Sequence, residues 1–212
     1  MNLLTFSSTK HGFAAQSLPP TGYNNLAIAD YSPLYETTDG GQTWQPRTLP
    51  MPPGFTGAQT LYSLPTFLKD GAGILPVALF EGSSTFMAFY GSSDGGTTWS
   101  MAAVASTSSI PTSSYAANET QQLPAVAVAD LSTWWVIGGV GPGSAPTVRV
   151  TDDGGHTWTT VVSSGLPADI SELQAASPTV AWAFAQGASG WELVGTIDGG
   201  QTWQLVGPGI DG

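Results

Sequence analysis

Residues 37–44 read Thr37-Thr38-Asp39-Gly40-Gly41-Gln42-Thr43-Trp44, and the local chemistry of this octapeptide organises the rest of the chain. An Asp-Gly-Gly core between strand-forming residues is a strong hairpin signal, because glycine takes positive φ at no steric cost. The Asp carboxylate can accept hydrogen bonds from the N–H groups of its own turn, as in Asx-turns. The following Thr offers a hydroxyl to the same network, and the Trp brings a large ring to bury against a neighbouring strand.

The octapeptide recurs without gaps as Ser92-Ser93-Asp94-Gly95-Gly96-Thr97-Thr98-Trp99, Thr151-Asp152-Asp153-Gly154-Gly155-His156-Thr157-Trp158 and Thr196-Ile197-Asp198-Gly199-Gly200-Gln201-Thr202-Trp203. Successive tryptophans are 55 (44 to 99), 59 (99 to 158) and 45 (158 to 203) residues apart. One hairpin signature every ~40–50 residues is the size of a four-stranded propeller blade. The expected fold is an all-β propeller domain over 1–212, with blades near 1–50, 58–104, 122–163 and 169–207. It is either a four-bladed ring or part of a larger one.

Working outward from each turn, apolar runs place the remaining strands. The first blade reads 3–7, 11–16, 34–38 and 43–48, with an additional segment at 24–29. The second reads 60–68, 73–80, 85–92 and 98–103. The third reads 123–129, 133–138, 147–151 and 157–162. The fourth reads 170–177, 180–186, 191–197 and 202–206. Runs that are apolar on both sides suit sheets packed face to face.

Composition supports a strand-and-turn protein. Charged residues are 9% of the chain against hydrophobic 41%, with 27 Gly and 16 Pro, so surface polarity falls to Ser, Thr, Gln and Asn. Helix surfaces ordinarily use Glu, Lys and Arg. The net charge of −11 rests on only four Lys and Arg. A nucleic-acid surface needs clustered cations to replace counterions, and anionic membranes need the same, so neither is an expected partner. With no cysteine, disulfides and thiolate chemistry are excluded. No apolar run approaches the ~20 residues of a spanning helix, and Met1–Phe6 lacks the pattern of a signal peptide. The acidic, lysine-poor, Ser/Thr/Gly-rich composition reads as an exported protein of the extracellular space or cell envelope.

The four octapeptides resemble the Asp-box, or bacterial neuraminidase repeat, of sialidases, other glycosidases, sortilin-type receptors and photosystem assembly factors. The resemblance recurs through the chain and is specific for fold rather than activity. It implies that the box is the turn between the third and fourth strands of each blade, opposite the usual ligand face. Asp39, Trp44, Asp94, Trp99, Asp153, Trp158, Asp198 and Trp203 are then structural, and no catalytic residue is assigned. The ligand face would carry loops near 29–33, 81–84, 139–146 and 186–190, with blade connections near 47–59, 106–122 and 163–169.

Sialidases grip a carboxylate with three arginines, and this chain has only Arg47 and Arg149. A two-carboxylate glycosidase draws on Asp30, Asp70, Glu81, Glu119, Asp130 or Glu192, which lie outside the boxes, and needs two carboxyls ~5–10 Å apart. A lone loop carboxylate is more often a solvated surface charge. His11 and His156 form no cluster, so no transition metal and no cofactor is expected; His156 reads as a turn residue. Asp152 and Asp153 offer oxygen donors of the type calcium takes, and two adjacent carboxylates are a weak signal for it.

Trp134 and Trp135 are adjacent, so on a strand they face opposite sides. Tyr31 and Trp191 flank loops, and together with Glu81 and Glu192 they are the candidate ligand-binding residues. The expected activity is that of a non-catalytic binding or assembly module that recognises a glycan or protein. The alternative is a glycoside hydrolase or part of one. Apolar end strands (Leu3, Leu4 and Phe6; Trp182, Phe184, Trp203 and Leu205) further predict self-association through the end blades.

Overall fold

In the computed structural model, residues 2–16, 34–81, 84–106, 124–138, 146–167, 169–187 and 190–207 are described. Every regular element among them is a strand. Blade one is the antiparallel sheet β1 (Asn2–Phe6), β2 (Gly12–Gln16), β3 (Leu34–Thr37) and β4 (Gln45–Arg47). Blade two contains β5 (Gln59–Tyr62), β6 (Thr66–Phe67), β7 (Gly73–Glu81), β8 (Ser84–Ser92) and β9 (Ser100–Ser106). Blade three is β10 (Ala125–Val128), β11 (Trp134–Gly138), β12 (Thr147–Thr151) and β13 (Thr159–Val161). Blade four is β14 (Asp169–Ala175), β15 (Ala181–Gly187), β16 (Gly190–Thr196) and β17 (Gln204–Leu205). The chain is thus all-β, with four Asp-Gly-Gly blades, and each octapeptide joins the third and fourth strands of its sheet.

The chain divides into two compact units, one carrying blades one and two, the other blades three and four. In the first, Phe13 and Leu34 of blade one share a core with Leu75, Val77, Leu79, Ala88, Tyr90 and Trp99 of blade two. The connection between these blades straps onto the second: the Tyr90 hydroxyl donates to Pro50 O (2.6 Å), and Phe55 meets Phe86 edge-on. In the second unit, Trp135, Ile137 and Val148 of blade three pack with Leu173, Ala183, Val194 and Trp203 of blade four.

Two features depart from the sequence expectation. The strand expected over 60–68 is split into β5 and β6, which both pair with β7. The break lies opposite Pro76, which has no N–H to give to a ladder, and the facing segment contains Pro65. Pairing lapses there except for the Ser63 N–H donating to Pro76 O (3.1 Å). The fourth strands of blades one, three and four are also shorter than expected, because the octapeptide keeps its last residues in the turn. The additional segment at 24–29 lies outside the described residues.

Candidate functional site

Each sheet has two ends, one formed by the Asp-Gly-Gly turn and the other by the turn between its second and third strands. At the first end, the four turns repeat one network. The Thr37 hydroxyl donates to Asp39 Oδ1 (2.8 Å) and accepts the Gly41 N–H (2.9 Å), while Thr43 gives its N–H to Oδ1 (2.9 Å) and its hydroxyl to Oδ2 (2.6 Å). The same three donors reach Asp94, Asp153 and Asp198 at 2.6–2.9 Å. Both glycines of every turn have positive φ, from 70° at Gly95 to 91° at Gly96.

Hydrogen bonds to the ionised carboxylate favour it. The Thr43 hydroxyl and N–H, then Thr37, hold Asp39 down at about 2. Asp94 and Asp198 are lowered to about 2 by the same kind of donors, and Asp153 is lowered further still. These carboxylates are acceptors spent on their own turns, which suits a structural element.

The variable position of the turn has a role that sequence reasoning did not assign. Gln42, Thr97, His156 and Gln201 each reach back to the backbone oxygen of their turn's Asp, at 3.2, 3.0, 2.8 and 2.9 Å. All four side chains can donate a hydrogen bond, which was the signal available. Trp44, Trp158 and Trp203 cap the turn by donating their indole N–H to the second glycine's oxygen (3.2, 3.1 and 3.1 Å). The buried Trp99 indole N–H has no partner among the described residues.

The ring of Trp135 meets Trp203 edge-on (6.4 Å, 84°), and Trp134 lies against Trp158 (6.5 Å). Both strand tryptophans are therefore buried, on opposite faces of β11.

His11 and Arg47 turn out to share one carboxylate. His11 Nε2 lies 2.7 Å from Glu36 Oε1, and Arg47 Nη1 lies 3.3 Å from Glu36 Oε2. Arg47 Nη2 also donates to Thr97 O (2.8 Å) in the next blade's turn. The cluster fastens blade one to blade two, and Arg47 is thereby committed within the first unit. Arg149 sits in the middle of β12 in the second unit, its guanidinium lowered by burial. Asp70 accepts the Ala72 N–H (3.0 Å) and Asp130 those of Ser132 and Thr133 (both 2.7 Å), so both carboxylates serve turns. Among the described residues there is no group of three or more metal-ligating side chains.

Three of the sequence-predicted ligand residues, Glu81, Trp191 and Glu192, lie toward the other end of their sheets. Trp191 and Glu192 are neighbours on β16 and so face opposite sides of blade four. Glu81 ends β7 in the first unit and is exposed. Tyr31, like the loops at 29–33 and 139–145 and the connection at 107–123, lies outside the described residues.

Trp191 is 54% exposed and stacked on Phe184 of β15, with ring centroids 5.3 Å apart and planes 14° from parallel. Its strand partner is Gln186, which adds an amide beside the indole. On the opposite side of the sheet, the Glu192 carboxyl lies against Gly187 so closely that a Cβ there would stand 2.2 Å from it. Phe184 was missed as part of this site because only the register places it diagonally across from Trp191.

The arrangement offers one exposed, backed aromatic platform with a flanking amide and a carboxylate across the sheet.

No curated protein matches the sequence. The profile of the BNR/Asp-box repeat matches residues 35–46. Among solved structures, Hadza microbial sialidase Hz136 is similar over 98% of this chain and 46% of its own, at 17% identity and a TM-score of 0.56. The GH74 xyloglucanase from Xanthomonas campestris is similar over 95% of this chain and 30% of its own, at 14% identity and a TM-score of 0.56. Zg3597, a family 117 glycoside hydrolase of Zobellia galactanivorans, is similar over 97% of this chain and 67% of its own, at 12% identity and a TM-score of 0.54. The chain thus spans less than half of the sialidase and about a third of the xyloglucanase, and identities this low speak to fold alone. Four turns with one hydrogen-bond network, a BNR/Asp-box repeat profile that matches at the first of them and these neighbours agree on the fold: the chain is an all-β protein of four blade-like antiparallel sheets, each closed by an Asp-box-type turn.

Proposed function

We propose that this chain is a non-catalytic binding module, exported to the cell envelope or beyond, that takes a glycan at the blade-four rim. The observation that carries the reading is the Phe184–Trp191 stack. A half-exposed indole backed by a second ring presents a flat apolar face that needs no ordering on binding, the kind of surface on which a pyranose ring stacks. Gln186, its partner across the ladder, supplies a hydrogen-bonding amide at its edge. The net charge of −11 favours neutral sugars over anionic ones, because a like-charged ligand is repelled over the whole surface.

Catalysis is the weaker reading. The neighbours whose names denote glycoside hydrolases support it only at the level of fold. Sialidase chemistry would need a third arginine beyond Arg47 and Arg149.

A glycan array followed by calorimetry on the best neutral ligand tests the proposal. Trp191→Ala is expected to weaken binding roughly 10–100-fold, in line with ~1–3 kcal/mol for an aromatic stacking contact. No reducing ends or free sialic acid should be released from the same glycans. Binding unchanged by Trp191→Ala would refute the site, and turnover abolished by Glu192→Gln would establish the hydrolase reading instead.

A further inference from the structure

The two joints between blades seen within the chain follow one rule. Phe13 and Trp135 occupy the same register position: each pairs with the residue directly before its box, Glu36 and Val150 respectively. Each ring projects from the outgoing face of its blade onto the next blade's turn. Phe13 meets Trp99 edge-on (5.8 Å, 82°), and Trp135 meets Trp203 in the same manner (6.4 Å, 84°). Each also fills the hollow over the second glycine of that turn. A Cβ on Gly96 would lie 2.7 Å from Phe13, and one on Gly200 would lie 2.9 Å from Trp135. Trp135 further donates its indole N–H to Ser177 O (3.2 Å) in the next blade.

Blade four repeats the outgoing half of this joint without a recipient. Trp182 pairs with Gly195, the residue before its box, and so stands where Phe13 and Trp135 stand. Phe184 and Leu193 match Ala15 and Leu34 by register. Ala15 and Leu34 are 4% and 0% exposed, whereas Trp182, Phe184 and Leu193 are 38%, 41% and 41% exposed.

Blade one repeats the incoming half. Leu4 matches Leu173 of blade four by register, yet Leu4 is 60% exposed and Leu173 is 8%. Over Gly41, the position of Gly96 and Gly200, the nearest atoms are those of its own blade's Trp44 and Phe6, at 3.7 and 3.8 Å.

We propose that blade four of one copy docks head to tail on blade one of a second copy, with Trp182 seated over Gly41 and edge-on to Trp44. The occupant is an incoming Asp-box face because the free half-joint repeats, position for position, two joints already made from this sequence. By the Trp135–Ser177 precedent, the Trp182 indole N–H donates to the backbone oxygen of Ser8, the residue at the same turn position. Outgoing and incoming faces differ, so the contact is heterologous: one copy gives its blade four and the other receives it at blade one. Phe184, which backs the Trp191 ring of the proposed glycan platform, lies on this same face, so glycan binding is read at concentrations where the chain is monomeric.

Light scattering on the full chain across a concentration series tests this. A reversible dimer is expected. Trp182→Lys and Leu4→Glu should each weaken it roughly 100-fold or more, as burying an unpaired charge in an apolar joint does. An equimolar mixture of the two variants should regain a dimer, because blade four of the Leu4→Glu copy meets blade one of the Trp182→Lys copy with both faces unaltered. Circular dichroism confirms folding, and Leu193→Gln with Leu4→Gln replaces the charged pair if either fails to fold. A chain that stays monomeric at every concentration, whether because its own end blades cover each other or because the faces remain bare, overturns the proposal. So does a dimer indifferent to Leu4→Glu, which would mark an association of blade four with itself.

Discussion

Gly41→Ala and Gly96→Ala place the same substitution at the same position of two boxes and should differ sharply in cost. Both glycines sit at φ near +90°, at +89° and +91°. The left-handed backbone therefore costs each alanine about 1–2 kcal/mol. The entropy lost by the unfolded chain, about 0.4–1 kcal/mol, is common to both and cancels in the comparison.

At Gly41 the new methyl makes ordinary contacts at 3.7 Å or more. At Gly96 it would stand 2.7 Å from two atoms of the Phe13 ring and 3.1 Å from Phe67. Carbon atoms rest at ~3.5–4.0 Å, so Phe13 must retreat by about 1 Å. It is fully buried and held by Trp99 and Phe67 at 5.8 and 5.9 Å, so the movement amounts to overpacking, at about 1–3 kcal/mol. Gly96→Ala should therefore exceed Gly41→Ala by about 1–3 kcal/mol, which for a chain this size is a further drop of roughly 2–12 °C in Tm. Thermal unfolding followed by circular dichroism at concentrations where light scattering shows a monomer, with urea titration to check that the m-value is unchanged, reads this out. Gly200→Ala, 2.9 Å from Trp135, should group with Gly96→Ala. Equal shifts at Gly41 and Gly96 would refute the argument and assign the whole cost to the turn backbone.

Two further outcomes follow from the turns. Asp39, Asp94 and Asp198 titrate in the folded chain at about 2 against an ordinary 3.8, and Asp153 is lower still. Lowered carboxylates contribute stability that is fully present above 3.8 and lost as pH falls through the folded values, so Tm should hold down to about pH 4 and fall steeply between about pH 4 and 2. A Tm that declines instead between neutrality and pH 5 would place the acid sensitivity elsewhere. Asp153→Ala is expected to lower Tm while leaving glycan affinity unchanged in the folded protein, measured by calorimetry well below the melting point. A variant of unchanged stability that no longer binds would make the box a ligand site.

Much of the fold was legible because its defining interactions are local. Every donor to Asp39 lies within four residues of it, at Thr37 and Thr43, so the octapeptide carries its own turn wherever it is placed. Four copies at blade-sized intervals then order the strands, since each turn must join the third and fourth of its sheet. The alternation of Trp134 and Trp135 likewise follows from the two-residue period of a strand.

What the tertiary structure alone decided are contacts between residues distant along the chain. The split of β5 from β6 depends on Pro76 of β7 arriving opposite the Ser63–Pro65 segment, which is a matter of register between two strands. Glu36 is drawn to His11 and Arg47 only after three strands align, and no spacing in the sequence announces it. Trp191 stood out as an aromatic beside a loop, but its ring became a backed platform through Phe184 on the adjacent strand. Phe13 and Gly96 are 83 positions apart, yet the glycine at 96 is indispensable for packing as well as for the turn, because a ring from the preceding blade occupies the space a side chain would need. Hydrogen bonds that close within a turn are written in neighbouring residues, while steric complementarity between sheets exists only once both surfaces have folded and met.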